Sequence, residues 1–436
     1  MLLSQLILFI LQLVALFAGG FFSSLGATNY FVSPSGSDSG AGSESVPFRT
    51  IAKGLSVVRA GETLFLRGGT YAEYLINNVP AGSSSARVTI RAYPSETVVI
   101  RPGGGQQHVI YLSGGGFQYI TFLGLSFDAA NVGNNGIKLQ GGSHHIRFEN
   151  CEVKNAVESG FLFTDGSGYN EVVNSDVHHN GRSGYAPPTA AYGLYIATAN
   201  NRVESCAVHD NVGYGIHIYS ASGGADNNTV RNCRIYNNGR NTSNYVFGLL
   251  LGPGGMGYNN LIYGNQRGVQ VYNSSNCGIY FNTIYNNQHE AIQLSGSNNT
   301  YRNNILYLNP EGVYGNGTNS NNLQNDPKFV SSSDFHLQSN SPAIGAGMAV
   351  SGITTDFEGK PRPNPPSIGA FEADSGGGIP SPPIQTSQTE PAPAAPQQQQ
   401  PSYSEPTSQP SGPSTSQIAT PFLVAGVVVA ALLLSD

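Results

Sequence analysis

A repeat of roughly 22–31 residues, running from about residue 117 to about residue 314, constrains this chain more than any other feature. One half of each copy opens on a small polar residue, usually Asn. Examples are Asn150-Cys151-Glu152-Val153, Asn174-Ser175-Asp176-Val177, Ser205-Cys206-Ala207-Val208 and Asn232-Cys233-Arg234-Ile235, then the shorter Asn282-Thr283-Ile284 and Asn303-Asn304-Ile305. The other half is Gly-aliphatic-x-aliphatic, as in Gly136-Ile137-Lys138-Leu139, Gly193-Leu194-Tyr195-Ile196 and Gly215-Ile216-His217-Ile218. A period of this size marks a solenoid. Two short alternating strands per copy, with Asn and Gly at the bends, make it a β-solenoid rather than a helical one. Its coils stack about 4.8 Å apart, so the repeat states which distant residues become neighbours.

Composition agrees with this reading. Only 11% of the 436 residues are charged, and 55 are Gly. Such a chain suits many tight turns, where Gly and Asn accept positive φ. A formal charge of −6 argues against a nucleic-acid partner, so any anion recognition must be local. The predicted organisation is a signal peptide over 1–27, an N-terminal cap and first coils over 28–116, and the repeat region over 117–322. A closing segment over 323–374, a Pro/Ser/Gln-rich disordered stalk over 375–417 and a hydrophobic anchor signal over 418–436 follow. Leu6 to Ala18 is apolar and small residues follow it, the layout of a secretory leader. The apolar run from Pro421 to Leu434 after a polar spacer has the layout of a lipid-anchor signal, with a short transmembrane tail as its rival. Both readings place the folded part outside the cell, tethered to a membrane, and a monomer is expected.

Secretion permits disulfides. However, Cys151, Cys206 and Cys233 hold one place in three copies, and Ser175 holds it in a fourth. A stacked internal column of small apolar side chains explains that pattern; a bridge between Cys206 and Cys233, in adjacent coils, is the alternative. Sequons at Asn227, Asn241, Asn273, Asn298 and Asn316 are glycosylation acceptors in a eukaryotic host.

A solenoid's open ends need covers. Ile51, Leu55 and Val58 follow Pro47 at helical spacing and predict a short capping helix within 48–60. Residues 323–372 lose the repeat and are expected to fold over the last coil. Both segments carry a family resemblance. Tyr30-Phe31-Val32-Ser33-Pro34, Pro47-Phe48-Arg49-Thr50-Ile51 and Gly61-Glu62-Thr63-Leu64 resemble the opening of secreted proteins of the right-handed parallel β-helix, pectate-lyase-like group. The runs Asp326-Pro327-Lys328-Phe329, Ser341-Pro342-Ala343-Ile344-Gly345 and Ile368-Gly369-Ala370-Phe371-Glu372 resemble a closing segment common in that group. The resemblance implies an all-β, right-handed parallel β-helix with a short N-terminal helix. It implies little about activity, because lyases, hydrolases, epimerases and non-catalytic proteins share that architecture. Asp38 and Asp356, within these segments, read as turn residues.

Strand alternation sends Cys151 and Val153 inward and Glu152 and Lys154 outward. The same phase in every copy gives an outward column of Ser126, Glu152, Asp176, Ala207 and Arg234. A second column holds Asp128, Lys154, His178, His209 and Tyr236 and continues through Tyr263, Tyr285 and Tyr307. Beyond the next bend a third column holds Lys138, Leu162, Tyr195, His217, Leu250, Gln270 and Gln293. Insertions near 182–192 and 240–245 emerge beside these columns. β-Elimination of a uronide needs a neutralised carboxylate, a base for the adjacent C–H and an acid for the leaving oxygen. On that scheme Asp128, Glu152 and Asp176 hold a Ca2+. Arg234, Lys138, Tyr195 and His217 bind substrate, and Lys154, His178, His209 and Tyr236 supply base and acid. The tyrosine column suits stacking on sugar rings. Glu152 and Asp176, about 5 Å apart, also suit a retaining glycosidase.

An architectural reading stands against all of these. Opposite charges on neighbouring strands stabilise a sheet by roughly 0.2–1 kcal/mol a pair. The Asn180, Asn211, Asn238, Asn265, Asn287 and Asn309 ladder hydrogen-bonds along a bend. The expected function is a lyase acting on an acidic polysaccharide. A non-catalytic glycan-binding surface protein is the alternative, and a glycoside hydrolase or uronate epimerase is third.

Overall fold

The computed structural model describes residues 28–182, 191–240, 242 and 244–373. The expected leader, stalk and anchor lie outside the described residues, as do positions 183–190 of the first insertion. No described helix is long and apolar enough to cross a membrane.

Each coil runs through three short parallel strands, not the two that the repeat suggests. Sheet A has 12 strands, and sheets B and C have 10 each. In one coil these are Arg147–Glu149 in sheet A, Glu152–Lys154 in sheet B and Phe161–Phe163 in sheet C. Sheets A and B are separated by a bend so short that the two strands read as one stretch of sequence. The residue at that bend is left-handed: Asn150 at φ 51°, Asn174 at 47°, Asn232 at 53°. A second left-handed residue leaves sheet B, such as Asn155 at 63° or Asn237 at 56°. Asn tolerates this conformation better than most residues, which accounts for its frequency at these places, although Ser205 and Asp210 fill both in one coil.

Register follows the predicted phase. Ser126, Glu152, Asp176, Ala207 and Arg234 are successive partners in sheet B. So are Asp128, Lys154, His178, His209, Tyr236, Tyr263, Tyr285 and Tyr307. In sheet C the column runs Lys138, Leu162, Tyr195, His217, Leu250, Gln270 and Gln293. Inward positions form a continuous core in which Phe122 and Phe148 stack at 5.0 Å.

Side-chain amides satisfy the bends. Asn180 Nδ2 donates to Asn211 Oδ1 at 3.0 Å, and the chain continues through Asn238, Asn265, Asn287 and Asn309. A second ladder, Asn260, Asn282, Asn304 and Asn322, lines the A–B bend. Cys151, Cys206 and Cys233 occupy the same bend lower in the stack, while Cys277 stands just before the sheet A strand Gly278–Tyr280. All four thiols are free and buried, and Cys206 Sγ donates to the Val172 and Glu204 carbonyls. Thiol and amide do one job there, donating to backbone carbonyl oxygens of the preceding strand, as Asn260 Nδ2 does to Val230 O.

The helix Ile51–Val57 closes the first coil, with Thr50 Oγ1 accepting from Lys53 N as N-cap. Gly54 sits so close to the first strands that a Cβ there would stand 2.6 Å from Leu64. Asp38 accepts from Arg49 N and Thr50 N and pins this cap; Asp356 accepts from Lys360 N and Glu372 N in the same structural way. The closing segment departs from expectation. Instead of only covering the last coil, it lies back along sheet B, where Phe335, Phe357 and Phe371 pack with Leu261, Tyr263 and Tyr285. Asn259 and Asn303, left-handed at the A–B bend, donate to its Thr355 and Met348 carbonyls.

Candidate active site

The predicted site residues fall on two different sheets. Glu152, Lys154, Asp176, His178, His209, Tyr236 and Arg234 share the outer face of sheet B, while Lys138, Tyr195 and His217 stand on sheet C. The B–C bends divide them, so one patch does not contain both sets.

On sheet B the charges neutralise one another. Lys154 Nζ lies 2.8 Å from Glu152 Oε2, and His178 Nε2 lies 3.1 Å from Glu152 Oε1. Ser126 Oγ donates to the same carboxylate. Burial opposes ionisation of Glu152, but hydrogen bonds from His178, Lys154 and Ser126 outweigh it and hold the carboxyl down to about 2. His209 Nε2 stands 3.0 Å from Asp176 Oδ1, close enough for an ion pair though poorly aligned for a hydrogen bond. Its Nδ1 lies 2.7 Å from Asp210 Oδ2. The rings of His178, His209, Tyr236 and Tyr263 stack in parallel up the column. Asp128 is 2% exposed and accepts from Arg101, Ala130 N and Asn155.

These carboxylates do not fit a Ca2+. Both oxygens of Asp128 and both of Glu152 already face donors, and among the described residues no group of three His, Cys, Asp or Glu is arranged to hold a metal. Sheet A carries a similar ladder, in which Arg147 and Arg202 share Glu171, and Arg231 pairs with Glu204. Two self-paired ladders on two faces have the character of sheet cross-links. The tyrosines are not a sugar platform either: Tyr263 and Tyr285 are half-buried against Phe335, and Arg234 lies over Phe357 at 5.5 Å.

The ladder has a pH signature. Burial disfavours the charged ring of His209, but Asp176 and Asp210 outweigh it and raise its pKa to about 9. The unfolded value is about 6.5. Its stabilising contribution is therefore complete below that value and is lost as pH rises through 9. Calorimetric unfolding midpoints should fall across this interval, and His209→Gln should flatten the fall. An equal slope in the variant would remove His209 from the explanation. Lys154→Ala and His178→Ala should each cost about 0.2–1 kcal/mol of stability and leave turnover within a few-fold of wild type.

Sheet C is different in kind. Its outward positions hold no carboxylate among the described residues, and Lys138 is their one Lys or Arg. Lys138 Nζ sits 5.6 Å from the Tyr111 ring centroid, one coil back. Burial lowers its pKa, against the opposing charges of Glu158 and Asp165. Glu158, in the B–C bend of the next coil, moves the other way. Burial raises it, although Asn135 donates to it and Lys138 is near enough to pull it down. His108, 7% exposed, is pushed down to about 4 by burial and by the charge of Lys138. Burial thus displaces a lysine and a carboxyl on neighbouring coils towards their neutral forms.

Farther along the column, tyrosines box in His217. Tyr192 stacks on its ring at 4.7 Å, and Tyr195 and Tyr214 meet it edge-on. Burial pushes it down to about 3, so it is a neutral imidazole, and its Nδ1 has no partner. The second insertion reaches the same face. Tyr245, 44% exposed, bonds to Glu290 and lies under the Arg267 guanidinium at 3.6 Å.

Glu158, His108, Tyr192, Tyr214, Arg267 and Glu290 are absent from the sequence-predicted set. All but Glu158 occupy the place just before the Gly-aliphatic half, or its equivalent, His108 as the register partner of Asn135. Asn135, Ser159, Tyr192, Tyr214, Phe247, Arg267 and Glu290 form that rim, and from Ser159 onward each carbonyl accepts from the Gly N that follows the rim residue of the preceding coil, as in Gly160 N to Tyr192 O. Reading one position upstream of each Gly would have found it.

Residues 30–187 match the family described as Pel9A-like, right handed beta helix region, and residues 188–333 match that described as right handed beta helix region. The chain is a pectate-lyase-like right-handed parallel β-helix. Among curated proteins this β-helix is 39% identical over 80 residues to pectate lyase PEL9 of Emericella nidulans, covering 18% of this chain and 20% of that one. It is 31% identical over 137 residues to the uncharacterized protein YwoF of Bacillus subtilis, covering 28% of each. The matched segments thus span less than a third of either relative. The solved pectate lyase Pel9A superposes with a TM-score of 0.63 at 21% identity, covering 81% of this chain and 98% of that one. A rhamnogalacturonan lyase gives 0.56 at 16% identity, covering 70% and 91%. An alginate lyase from Paenibacillus sp. gives 0.52 at 18%, covering 62% and 96%. At these identities the shared property is the fold.

Proposed function

We propose that this β-helix cleaves a uronic-acid-containing polysaccharide by β-elimination on the outer face of sheet C. The observation that carries the reading is Lys138, a half-buried lysine of lowered pKa on a face whose outward strand positions hold no carboxylate. Retaining and inverting glycosidases commonly use two carboxylates flanking the scissile bond; the column itself offers none, Glu158 and Asp165 bordering it beside Lys138, so the lysine rather than a carboxylate pair carries the reading. Neutral Lys138 removes the proton on the carbon next to the uronate carboxyl. The electron pair forms a carbon–carbon double bond, the glycosidic C–O bond at the β-carbon breaks, and the leaving oxygen takes a proton. Glu158, with its raised pKa, supplies that proton. Tyr195 meets the sugar by ring contact, and the buried His217 ring packs edge-on behind it. Secretion and surface tethering through residues 1–27 and 418–436 accompany this reading.

The test is the ultraviolet absorbance of the unsaturated uronide formed from acidic polysaccharides. A rise that survives a chelator supports elimination without a Ca2+ site on sheet B. Reducing ends without absorbance point to hydrolysis, and retention on a glycan column with neither signal points to a binding protein.

A further inference from the structure

We infer that a second carbohydrate site lies on the outer face of sheet A, built by Tyr280 and Arg302, and that it holds an acidic sugar without cleaving it. In the three-residue strands of this sheet the middle residue faces the core and its two neighbours face out. In the upper coils one outward column reads Arg231, Tyr258, Tyr280 and Arg302. Lower in the stack this face is spent on ion pairs, ending with Arg231 on Glu204. From Arg231 onward its outward strand positions hold no carboxylate, lysine or histidine.

Two features set this stretch apart. Gly278 points outward yet is buried, because the Tyr280 ring lies across it. A Cβ at Gly278 would stand 2.3 Å from Tyr280 Cε2 and 2.8 Å from its Cζ. The ring therefore lies flat on the sheet, one face on the glycine and the other turned outward. Tyr280 is half-buried, and among the described residues no second ring covers it. The tyrosines of sheet B, by contrast, stack on one another and lie under Phe335. Arg302 is the second feature. The other four arginines that face out from sheet A are engaged. Arg91 lies over Phe65 at 5.4 Å, and Arg147, Arg202 and Arg231 hold carboxylates. Among the described residues the Arg302 guanidinium has no ion pair, hydrogen bond or ring contact, and its Nε is buried without a partner.

A half-buried guanidinium of this kind lacks the planar acceptor that its fork matches. One coil, about 4.8 Å, separates it from the flat tyrosine ring. A sugar bearing a carboxylate answers both groups. Its C–H face stacks on Tyr280, and its carboxylate takes the Arg302 fork. Tyr258, one coil back and held by Arg231 Nη1 at 3.0 Å, extends the platform to a neighbouring sugar. A neutral sugar would leave Arg302 unanswered, and a simple anion would leave the ring bare. The site stands six coils, roughly 29 Å, from the coil of Lys138 and on another sheet. It offers no base, so it binds without cleaving. A polymer held there keeps its other segments at high effective concentration near the protein. The inference does not rest on the elimination reading.

Affinity electrophoresis of the full chain through gels containing polygalacturonate tests the site. Lys138→Ala serves as the background, so that the polymer survives. Added to it, Arg302→Gln and Tyr280→Ala should each weaken binding about tenfold, with the fold intact by circular dichroism. Gly278→Ala removes no contacting group but lifts the ring, and it should weaken binding in the same way. Tyr280→Phe keeps the ring and should keep most of the affinity. A neutral galactan, and polyacrylate, which carries charge without a sugar ring, should retard the protein less than polygalacturonate does. Undiminished binding by both Arg302→Gln and Tyr280→Ala overturns the inference, because the polymer then sits elsewhere. Equal retardation by polyacrylate or galactan overturns it too, as does no retardation by polygalacturonate. The absorbance of the unsaturated uronide scores the elimination reading separately. Its absence leaves an Arg302-dependent retardation standing, and loss of the Arg302 effect leaves the absorbance standing.

Discussion

Lys138→Ala should lower turnover by about 10²–10⁴-fold, the usual contribution of a positioned base, while the protein keeps its fold. Lys138→Arg should fail nearly as badly, because a guanidinium stays protonated and cannot accept the proton. Stability gives an independent check. Burial holds the Lys138 pKa below its ordinary value, so its charged form is a burden on the folded state. That burden is present when the group is protonated and is relieved as pH rises above the folded pKa. The alanine variant should therefore unfold at the wild-type temperature or slightly above it near neutral pH. The acid limb of the kcat/KM profile should sit below the ordinary lysine range of about 10.4. Full turnover by the alanine variant would remove sheet C as the catalytic face.

Arg362→Ala should cost about 3–5 kcal/mol, the range for breaking a buried ion pair. Arg362 and Glu372 are each 3% exposed and 2.6 Å apart. The guanidinium also donates to Asn259 Oδ1 at 2.8 Å and to Gly369 O at 3.0 Å, and it stacks 4.0 Å from Phe281. It thus joins the closing segment to the A–B bend of the solenoid. Its loss leaves Glu372 charged and buried, with only Ser367 N still donating to its carboxylate. The expected result is early release of residues 323–373, seen as protease cleavage there and faster amide exchange in the strands bearing Tyr263 and Tyr285, before the remaining coils unfold. Arg362→Met combined with Glu372→Leu should lose less than either single change, because no unpaired charge remains. A single variant with wild-type protease resistance would show that the aromatic cluster alone holds the segment.

Much of the architecture is legible from particular residues. Glu152, Asp176 and Arg234 align because a parallel stack permits one phase, and a left-handed residue at each bend, most often Asn, holds that phase from coil to coil. The Asn180 to Asn309 ladder and the cysteine column follow from the same rule. Sheet A was harder to see, because its strands abut those of sheet B across one left-handed residue and carry charges such as Arg147, Glu171 and Arg202. In sequence those charges look like solvated turns, although they pair with their neighbours across the coils.

The candidate site divides along a similar line. Sequence placed Lys138, Tyr195 and His217 in one column, yet weighted the richer run of acids, histidines and a lysine on sheet B. Ionisable side chains in a column are either reactive or mutually satisfied, and the difference is a matter of ångströms and rotamers. Glu152 meets Lys154 and His178, whereas Lys138 meets a tyrosine ring and a burial cost. Covering is equally invisible in a repeat: Tyr263 and Tyr285 look like a sugar platform until Phe335, some fifty to seventy residues away in sequence, lies against them.

By itself, then, the sequence determined the periodic part of this protein: the solenoid, its register, its inward columns and its bend ladders. These are local, because each coil repeats the same short-range choice of alternation and bend. Tertiary structure alone decided which outward face is spent on cross-links, which is covered by the closing segment and which carries a half-buried lysine of lowered pKa. Those outcomes depend on desolvation and on contacts between segments remote in the chain, which no column of letters contains.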